Sequence, residues 1–154
     1  MTGHRPAGDP HDTGHQASIL NRYECAELLR ANRVGRIGFL NDAWPAILPV
    51  NYVMDGDDIV IRTDSGTKFA ALRHGAEVSF ELDAIDPLYR SGWSVLVYGN
   101  AAEIEDTDEL ERVKSLGLRA WHQGAKPFWI RIAPVLVTGR RLPKAWQYPD
   151  SSEA

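Results

Sequence analysis

The chain has 154 residues, of which 44% are hydrophobic and 25% are charged, and its formal net charge is −4. This length suits one globular domain with a hydrophobic core, and the charge gives no bulk attraction to nucleic acid or to an anionic membrane. No apolar run approaches the roughly 20 residues that a bilayer span needs. The single cysteine, Cys25, excludes an internal disulfide and fits a reducing compartment. We therefore expect a soluble cytoplasmic protein with neither a nucleic-acid nor a membrane partner.

Residues 1–17 open the chain and are rich in Gly, Pro, Asp and His. They hold almost nothing that a core could bury, so they predict a disordered tail. The three histidines of this tail, His4, His11 and His15, match no recognised spacing of metal ligands, and we predict no metal site. Residues 147–154 predict a second loose tail, which leaves residues 18–146 as the folded domain.

The first predicted helix lies near residues 20–32. Asn21 can cap it, and Glu24, three residues further on, can reach back to complete a capping box. Leu20 and Cys25 have the spacing of a hydrophobic staple across the same helix start. Cys25 also shares its helix face with two leucines, so we predict a small core residue there and not a catalytic thiol.

Short runs of alternating apolar and polar residues follow Gly35 and predict strands separated by turns. Asp55–Gly56 predicts a hairpin, and Gly99 predicts a bulge or kink inside a long strand. Helices are expected near residues 67–73 and 106–118. The predicted strands cover residues 36–40, 45–54, 59–63, 77–83, 93–104 and 127–142, the last of them bent or broken at Pro134. Six or seven mostly consecutive strands with two or three short helices favour a mainly β fold, an antiparallel barrel with helices on its rim.

One junction joins a predicted strand to a predicted helix through small and polar residues, in the run IRTDSGTK at residues 61–68. The free N–H groups of a helix start, the helix dipole and nearby cations can together hold an anion, commonly a phosphate. Arg62 and Lys68 supply the cations, and the hydroxyl groups of the run add donors. An ordinary surface helix capped by Asp64 or Ser65 explains the same residues equally well, so the run by itself leaves both interpretations open.

The order of five segments along the chain is also informative. They are the helix near residues 20–32 and residues 34–52, 61–68, 77–83 and 91–101. In this order they resemble the pyridoxamine 5′-phosphate oxidase-like proteins, which are flavin-binding split β-barrels, and the resemblance covers about residues 18–142. It implies a six- to seven-stranded antiparallel split β-barrel that forms a homodimer. It also implies FMN (flavin mononucleotide) bound in a groove between the two subunits.

The resemblance assigns cofactor-binding roles to individual residues, in three groups. They are Pro49, Val50, Asn51 and Tyr52 along the flavin ring; Arg62, Thr63, Ser65, Thr67 and Lys68 at the phosphate; and Trp93 and Ser94, which the partner subunit presents to the flavin. Trp129 and Arg131 on the last strand are expected near the open face of the ring. No catalytic residue is assigned.

Three functions are compatible with this resemblance. The first is an FMN-dependent oxidoreductase in which the flavin carries the redox chemistry. The second is a reductase of the same fold that uses a deazaflavin cofactor, and the third is a non-enzymatic flavin- or haem-binding or sensing protein. The long C-terminal segment of the true pyridoxamine phosphate oxidases is not recognisable here. We therefore do not expect oxidation of pyridoxine vitamers, and the substrate stays undefined.

Overall fold

A computed structural model describes residues 17–119 and 127–142 of the chain. The predicted N-terminal tail, with its three histidines, lies outside these ranges apart from Ala17, and the predicted tail at residues 147–154 lies wholly outside them. The domain limits and the two tails therefore stay predictions. Within the described ranges, no helix has both the length and the apolar composition needed to cross a bilayer.

The described residues form seven strands and three helices. They are β1 (Ser18–Leu20), α1 (Arg22–Ala31), β2 (Val34–Asn41), β3 (Trp44–Asp55), β4 (Asp58–Thr63), α2 (Thr67–Leu72), β5 (His74–Asp86), β6 (Ser91–Glu103), α3 (Thr107–Lys114) and β7 (Phe128–Leu142). The predicted helices and strands are confirmed to within a few residues at most ends. The exceptions are β1, which the sequence did not predict, β5, which extends three residues beyond its predicted range at each end, and α3, which ends four residues before its predicted end.

All seven strands belong to one antiparallel sheet in the order β1-β7-β4-β3-β2-β5-β6, and a further pairing of β6 with β7 closes it. β7 is the seam of this closure. One of its edges pairs with β4 and β1, while the other pairs with β6 over almost the whole strand. The predicted antiparallel barrel with short peripheral helices is thus confirmed as a split-barrel-like fold. The homodimer stays a prediction.

The turn between β3 and β4 is a two-residue hairpin, because Asp55 pairs directly with Asp58. Gly56 takes the first loop position with a φ of +62°, a conformation that glycine adopts without the steric cost of a Cβ. The hairpin predicted from Asp55–Gly56 is confirmed, and its loop consists of Gly56 and Asp57.

β6 and β7 slip past one another by one residue at Gly99. Gly99 pairs with Pro134, while the residue before it pairs with Leu136, so Val135 is an extra residue on β7. A Cβ on Gly99 would lie 2.5 Å from the carbonyl oxygen of Ala133. The bulge predicted at Gly99 and the bend predicted at Pro134 are therefore the same irregularity, and close backbone packing requires glycine there.

The barrel interior holds the main core, to which β2–β7, α1 and α2 all contribute. Tyr52 lies at its centre with no exposed area. Its hydroxyl donates a 2.7 Å hydrogen bond to the carbonyl of Leu29, and its ring meets Phe80 edge-on with a centroid distance of 4.9 Å. Cys25 is buried in the same core, as predicted, and burial raises the pKa of its thiol. α1 therefore docks on the barrel through an apolar face and one buried hydrogen bond.

A second apolar cluster lies outside the barrel, where α3 covers β3, β4 and β7. We call it the outer cluster; its buried members are Val53, Val60, Ile104, Val113 and Trp129. Tyr52, Ile61 and Ile130 precede or follow three of these residues along their strands and belong to the main core. Because successive strand residues face opposite sides of a sheet, the outer cluster occupies the opposite face of the same strands.

Candidate functional site

The strand-to-helix junction runs from the end of β4 at Thr63 to the start of α2 at Thr67. Gly66 is the N-cap residue of α2, and no side chain donates or accepts a capping hydrogen bond there. The cap by Asp64 or Ser65, which the sequence allowed as an alternative, is therefore not formed. The N-cap position of α2 therefore places no side chain of its own over the first amides of the helix.

Asp64 nevertheless stays beside the helix start. Its side chain is exposed, and a Cβ built on Gly66 would lie 3.2 Å from its Oδ1 atom. A carboxylate at this position repels any anion that approaches the same amides. The junction therefore combines two cations with one opposing charge.

Arg62 is held against an aromatic ring at this junction. Its guanidinium carbon lies 4.9 Å from the centre of the Trp129 ring, and the two residues are direct partners across the β4–β7 ladder. Trp129 is only 5% exposed and belongs to the outer cluster. The guanidinium thus lies over a surface that the protein interior keeps in place.

The other predicted phosphate residues differ in exposure. Thr63 faces inward with 1% of its area exposed, and its hydroxyl donates to the carbonyl of Asp64 at 3.3 Å. Ser65 and Thr67 are exposed, and Lys68 is partly buried on the first turn of α2. Of the predicted set, Thr63 is the residue whose side chain is turned away from solvent.

α2 is anchored by the apolar residues that follow Lys68. Phe69 and Leu72 belong to the main core, and the Phe69 ring stacks on Phe128 with a centroid distance of 3.9 Å. The guanidinium carbon of Arg73 lies 4.7 Å from the centre of the Phe69 ring. The junction residues are therefore carried by two elements that are both fixed to the barrel.

The four residues of the predicted ring-binding strand alternate between the two faces of β3. Val50 and Tyr52 are 6% and 0% exposed and point into the main core, whereas Pro49 and Asn51 lie on the outer face. The backbone N–H of Tyr52 donates to the carbonyl of Arg33 at 2.9 Å, and burial raises the pKa of its phenol above the ordinary value. Only Pro49, Asn51 and the strand backbone can therefore meet a ligand from this side.

One end of β3 lies next to the junction. Tyr52 and Ile61 form the last pair of the β3–β4 ladder, so Asn51 and Arg62 follow at the same end of the two strands. The side-chain amide of Asn51 donates to the carbonyl of Arg119 at 2.9 Å. The structure thus places Asn51 next to the junction and ties it to the segment that follows α3.

Trp93 and Ser94 lie elsewhere. They pair with Arg141 and Arg140 of β7, whereas Arg62 pairs with Trp129. Twelve residues separate Trp129 from Arg141 along β7, which is about 40 Å of strand. Most of the length of β7 therefore separates the two groups within one chain, and Trp93 is partly buried against the main core.

Arg131, which the resemblance places near the ring of the cofactor, is held by three carboxylates. It donates to Asp58 at 2.9 Å, to Asp55 at 2.7 Å and to Glu109 at 2.8 Å. Asp55 also accepts two hydrogen bonds from Arg112, which hold the pKa of this carboxyl at about 2. We call these five residues the arginine–carboxylate network.

The network joins α3 to β3, β4 and β7, next to the outer cluster. Sequence reasoning missed it, because its members come from four elements and their approach depends on strand register. The sequence pointed to Asp55 only as a turn residue of the predicted hairpin, and not as a partner of arginines. The network and the buried ring of Trp129 give both residues of the last strand a packing role in this chain.

Among the residues that the structure describes, no group of three or more His, Cys, Asp or Glu side chains is placed to hold a metal ion. The three histidines of the predicted N-terminal tail lie outside the described ranges. The described chemistry of the junction consists of cations, hydroxyls and helix amides, which suits an anionic ligand.

An exposed row of residues crosses five strands on the outside of the barrel, from β3 to β7. Its successive cross-strand partners are Ile47, Gly38, Ser79, Tyr98 and Leu136. Ile47 is 71% exposed, Tyr98 45% and Leu136 53%. The small residues between them form the floor of a groove of about 660 Å³, and none of the predicted cofactor residues lines it.

Comparison with known proteins gives a consistent family. A sequence profile described as pyridoxamine 5′-phosphate oxidase matches residues 21–141. The chain is 37% identical to the uncharacterized protein Rv0080 of Mycobacterium tuberculosis, over 80% of this chain and 84% of that protein. The resemblance inferred from the ordered segments is thus confirmed.

Two solved structures are similar in both fold and sequence. One is a Corynebacterium glutamicum protein provisionally assigned as a pyridoxamine 5′-phosphate oxidase, with a TM-score of 0.74 and 31% identity, covering 85% of this chain and 96% of that one. The other is the FAD binding protein from Mycobacterium smegmatis, with a TM-score of 0.69 and 33% identity, covering 81% of this chain and 98% of that one.

Proposed function

The chain belongs to the pyridoxamine 5′-phosphate oxidase family, and we propose that it is a flavoprotein, an FMN-dependent oxidoreductase acting on a small molecule. The observation that carries this proposal is the junction at residues 62–68. There a helix start without a side-chain cap lies beside Arg62, whose guanidinium is held over Trp129. Relatives support flavin binding in general terms, because the Mycobacterium smegmatis neighbour is named for binding FAD.

The residues of the junction fit the phosphate end of a flavin nucleotide. A phosphate with close to two negative charges needs cations and hydrogen-bond donors, which Arg62, Lys68, Ser65 and Thr67 can supply together with the amides of α2. The outer face of β3 adjoins this junction at Asn51 and continues to Pro49, and in this proposal it carries the flavin ring. A bound flavin supplies hydride or electron transfer; the role of the chain is to bind, orient and shield it.

We propose that a second copy of the chain completes the site. Within one chain, Trp93 and Ser94 are separated from the junction by about 40 Å of β7, so in this proposal the partner subunit's Trp93 and Ser94 cover the flavin. The exposed side chains of Ile47, Tyr98 and Leu136 in this row support a homodimer, because apolar surfaces of this kind are common where copies associate. Light scattering with and without bound flavin measures the oligomeric state.

The experiment that tests the cofactor is mass identification of the small molecule that leaves the purified protein on denaturation. FMN supports the proposal, and FAD supports a flavin site whose phosphate contacts extend to a second phosphate. A colourless protein that binds an added deazaflavin supports the deazaflavin-dependent alternative. A protein that releases no such molecule and binds none of the three when they are added refutes the proposed site.

A non-enzymatic flavin-binding or sensing role is the second candidate. It is favoured by the name of the Mycobacterium smegmatis neighbour, which states binding and no reaction. Mixing the flavin-loaded protein with a nicotinamide donor and following flavin absorbance separates the two. Reduction followed by reoxidation with a quinone, a nitro compound or oxygen supports an enzyme. A loaded protein that no donor reduces supports the binding role.

We also propose a cytoplasmic location. The single cysteine is buried and unpaired, which a reducing compartment maintains. Fractionation of cells that express the tagged chain tests this proposal, and recovery with the membrane or secreted fraction contradicts it.

A further inference from the structure

We infer that Trp129 is a positioning residue for the proposed phosphate site at residues 62–68. Its buried ring holds the guanidinium of Arg62 where a flavin phosphate would bind. The inference rests on the proposed function and deepens it. It gives a specific role in cofactor affinity to a side chain that lies in the outer cluster and that no cofactor needs to touch.

The first observation is the contact itself. The guanidinium carbon of Arg62 lies 4.9 Å from the centre of the Trp129 ring, within the range of an attractive cation–π interaction. Both residues sit opposite each other in the β4–β7 ladder and share one face. An arginine at the end of a strand has many rotamers, and contact with a flat ring favours those that keep the guanidinium over it.

The second observation is that the ring is fixed. Trp129 is 5% exposed and packs with Val60 and Val113 in the outer cluster. Its carbonyl accepts a 2.9 Å hydrogen bond from the backbone of Ile104. A rotation of this indole would open a cavity below α3, so the ring presents a constant surface to Arg62.

The third observation is that α3, which covers the outer cluster, is held to the sheet by ion pairs. Arg131 binds Glu109 of α3, and Arg112 of α3 binds Asp55 of β3. Packing therefore runs from the arginine–carboxylate network through α3 and Trp129 to Arg62. The ring that Arg62 contacts is therefore held by packing that extends to the arginine–carboxylate network.

This role predicts that loss of the ring weakens only the part of the binding affinity that comes from the flavin phosphate. Riboflavin has the same ring as FMN and lacks the phosphate, so the ratio of the riboflavin Kd to the FMN Kd isolates the contribution of the phosphate. Trp129→Leu keeps an apolar side chain in the outer cluster and removes the aromatic face. Trp129→Phe keeps a smaller aromatic face. Both Kd values follow from quenching of flavin fluorescence on titration.

We expect W129L to lower this ratio about three- to tenfold, and W129F to lower it less. The riboflavin Kd itself should change little in either variant. Arg62→Ala should lower the ratio further than W129L, and adding W129L to Arg62→Ala should cause no additional loss. Val97→Ala, in the main core and remote from the junction, serves as the control for general destabilisation and should leave the ratio unchanged.

Two results would overturn the inference while leaving the proposed function intact. One is a folded W129L protein with the wild-type ratio; the other is an equal loss of ratio on adding W129L to the Arg62→Ala variant. A wild-type protein that binds riboflavin as tightly as FMN refutes the phosphate site itself, and the inference with it. If W129L does not fold, W129F with and without Arg62→Ala gives the same test, because the smaller ring must lower the ratio only when Arg62 is present.

Discussion

The two faces of β3, β4 and β7 have different compositions, although the same three strands carry both. On the inner face, Tyr52, Ile61 and Ile130 are fully buried in a continuous apolar core. On the outer face, Trp129 of the outer cluster contacts Arg62 across the β4–β7 ladder, and Arg131 follows two residues further along β7. The inner face serves the stability of the barrel, and the outer face combines packing with the charges that a ligand site requires.

This difference follows from the alternation of side chains along a strand, which separates neighbouring residues by the full thickness of the sheet. A substitution on one face therefore leaves the other face largely intact. Asn51 and Arg62 can serve a ligand because the residues beside them, Tyr52 and Ile61, already fix the strand positions.

The largest expected effect is a loss of stability caused by a substitution on the inner face. Ile61→Ala should lower the free energy of unfolding by about 2–5 kcal/mol, because it leaves a cavity in the main core. Val60→Ala, one residue earlier and equally buried but on the outer face, should cost less, since fewer methylene groups are lost. Denaturant unfolding of both variants measures this. A larger loss for Val60→Ala would mean that the outer cluster, and not the barrel interior, dominates the stability.

The next effect concerns ligand binding. Arg62→Ala and Lys68→Ala should each weaken FMN binding by about 1.5–3 kcal/mol through loss of a charge-assisted hydrogen bond, with the fold intact. Tyr52→Phe is the inner-face control: it leaves the carbonyl of Leu29 without its donor and should lower stability by about 1–3 kcal/mol with FMN affinity unchanged. Fluorescence titration gives the affinities. Equal FMN affinity in wild type and Lys68→Ala would remove Lys68 from the site.

A smaller effect should appear in the arginine–carboxylate network. The folded pKa of Asp55 is about 2, below its ordinary value of 3.8, because of hydrogen bonds from Arg112. The carboxylate therefore stabilises the fold above about pH 4, and this contribution of about 1–2 kcal/mol is lost as the pH falls toward 2. Asp55→Asn should be less stable at pH 7 and should lose less stability than wild type over this acid range. Unfolding curves at several pH values check this, and parallel pH profiles for the two proteins would contradict it.

The smallest effect is expected at Asp64. Asp64→Asn removes a negative charge beside the start of α2 and should tighten FMN binding about twofold to threefold, the magnitude of an exposed charge interaction. The gain should shrink at high salt, and the riboflavin affinity should not change. Weaker FMN binding by Asp64→Asn would mean that this side chain assists the site instead of opposing it.

Sequence alone predicted the inner face and the local turns well. The alternation in β5, the capping box of α1 and the hairpin at Gly56 depend on residues close together in the chain, and each has a direct signal in the side chains. β1 had no such signal. It has three residues with one buried side chain, and it forms only by pairing with the distant end of β7.

The outer face was less predictable, because its arrangement depends on register. The approach of Asn51 to Arg62 follows from the β3–β4 ladder, and the contact of Arg62 with Trp129 from the β4–β7 ladder. Neither register can be read from composition. The cap of α2 was also open from the sequence, since Asp64, Ser65 and Gly66 are all residues that helix starts favour.

β7 follows the other six strands in the sequence and yet pairs with three of them, β1, β4 and β6. While a ribosome is still synthesising this strand, β4 and β6 of the nascent chain each present an unpaired edge, of the kind that joins to other chains and aggregates. The barrel can close only after the polypeptide through Leu142 has left the exit tunnel. Production of the protein at low temperature or with chaperones should therefore raise the yield of folded protein by reducing aggregation before closure, and should change the stability of the folded barrel little.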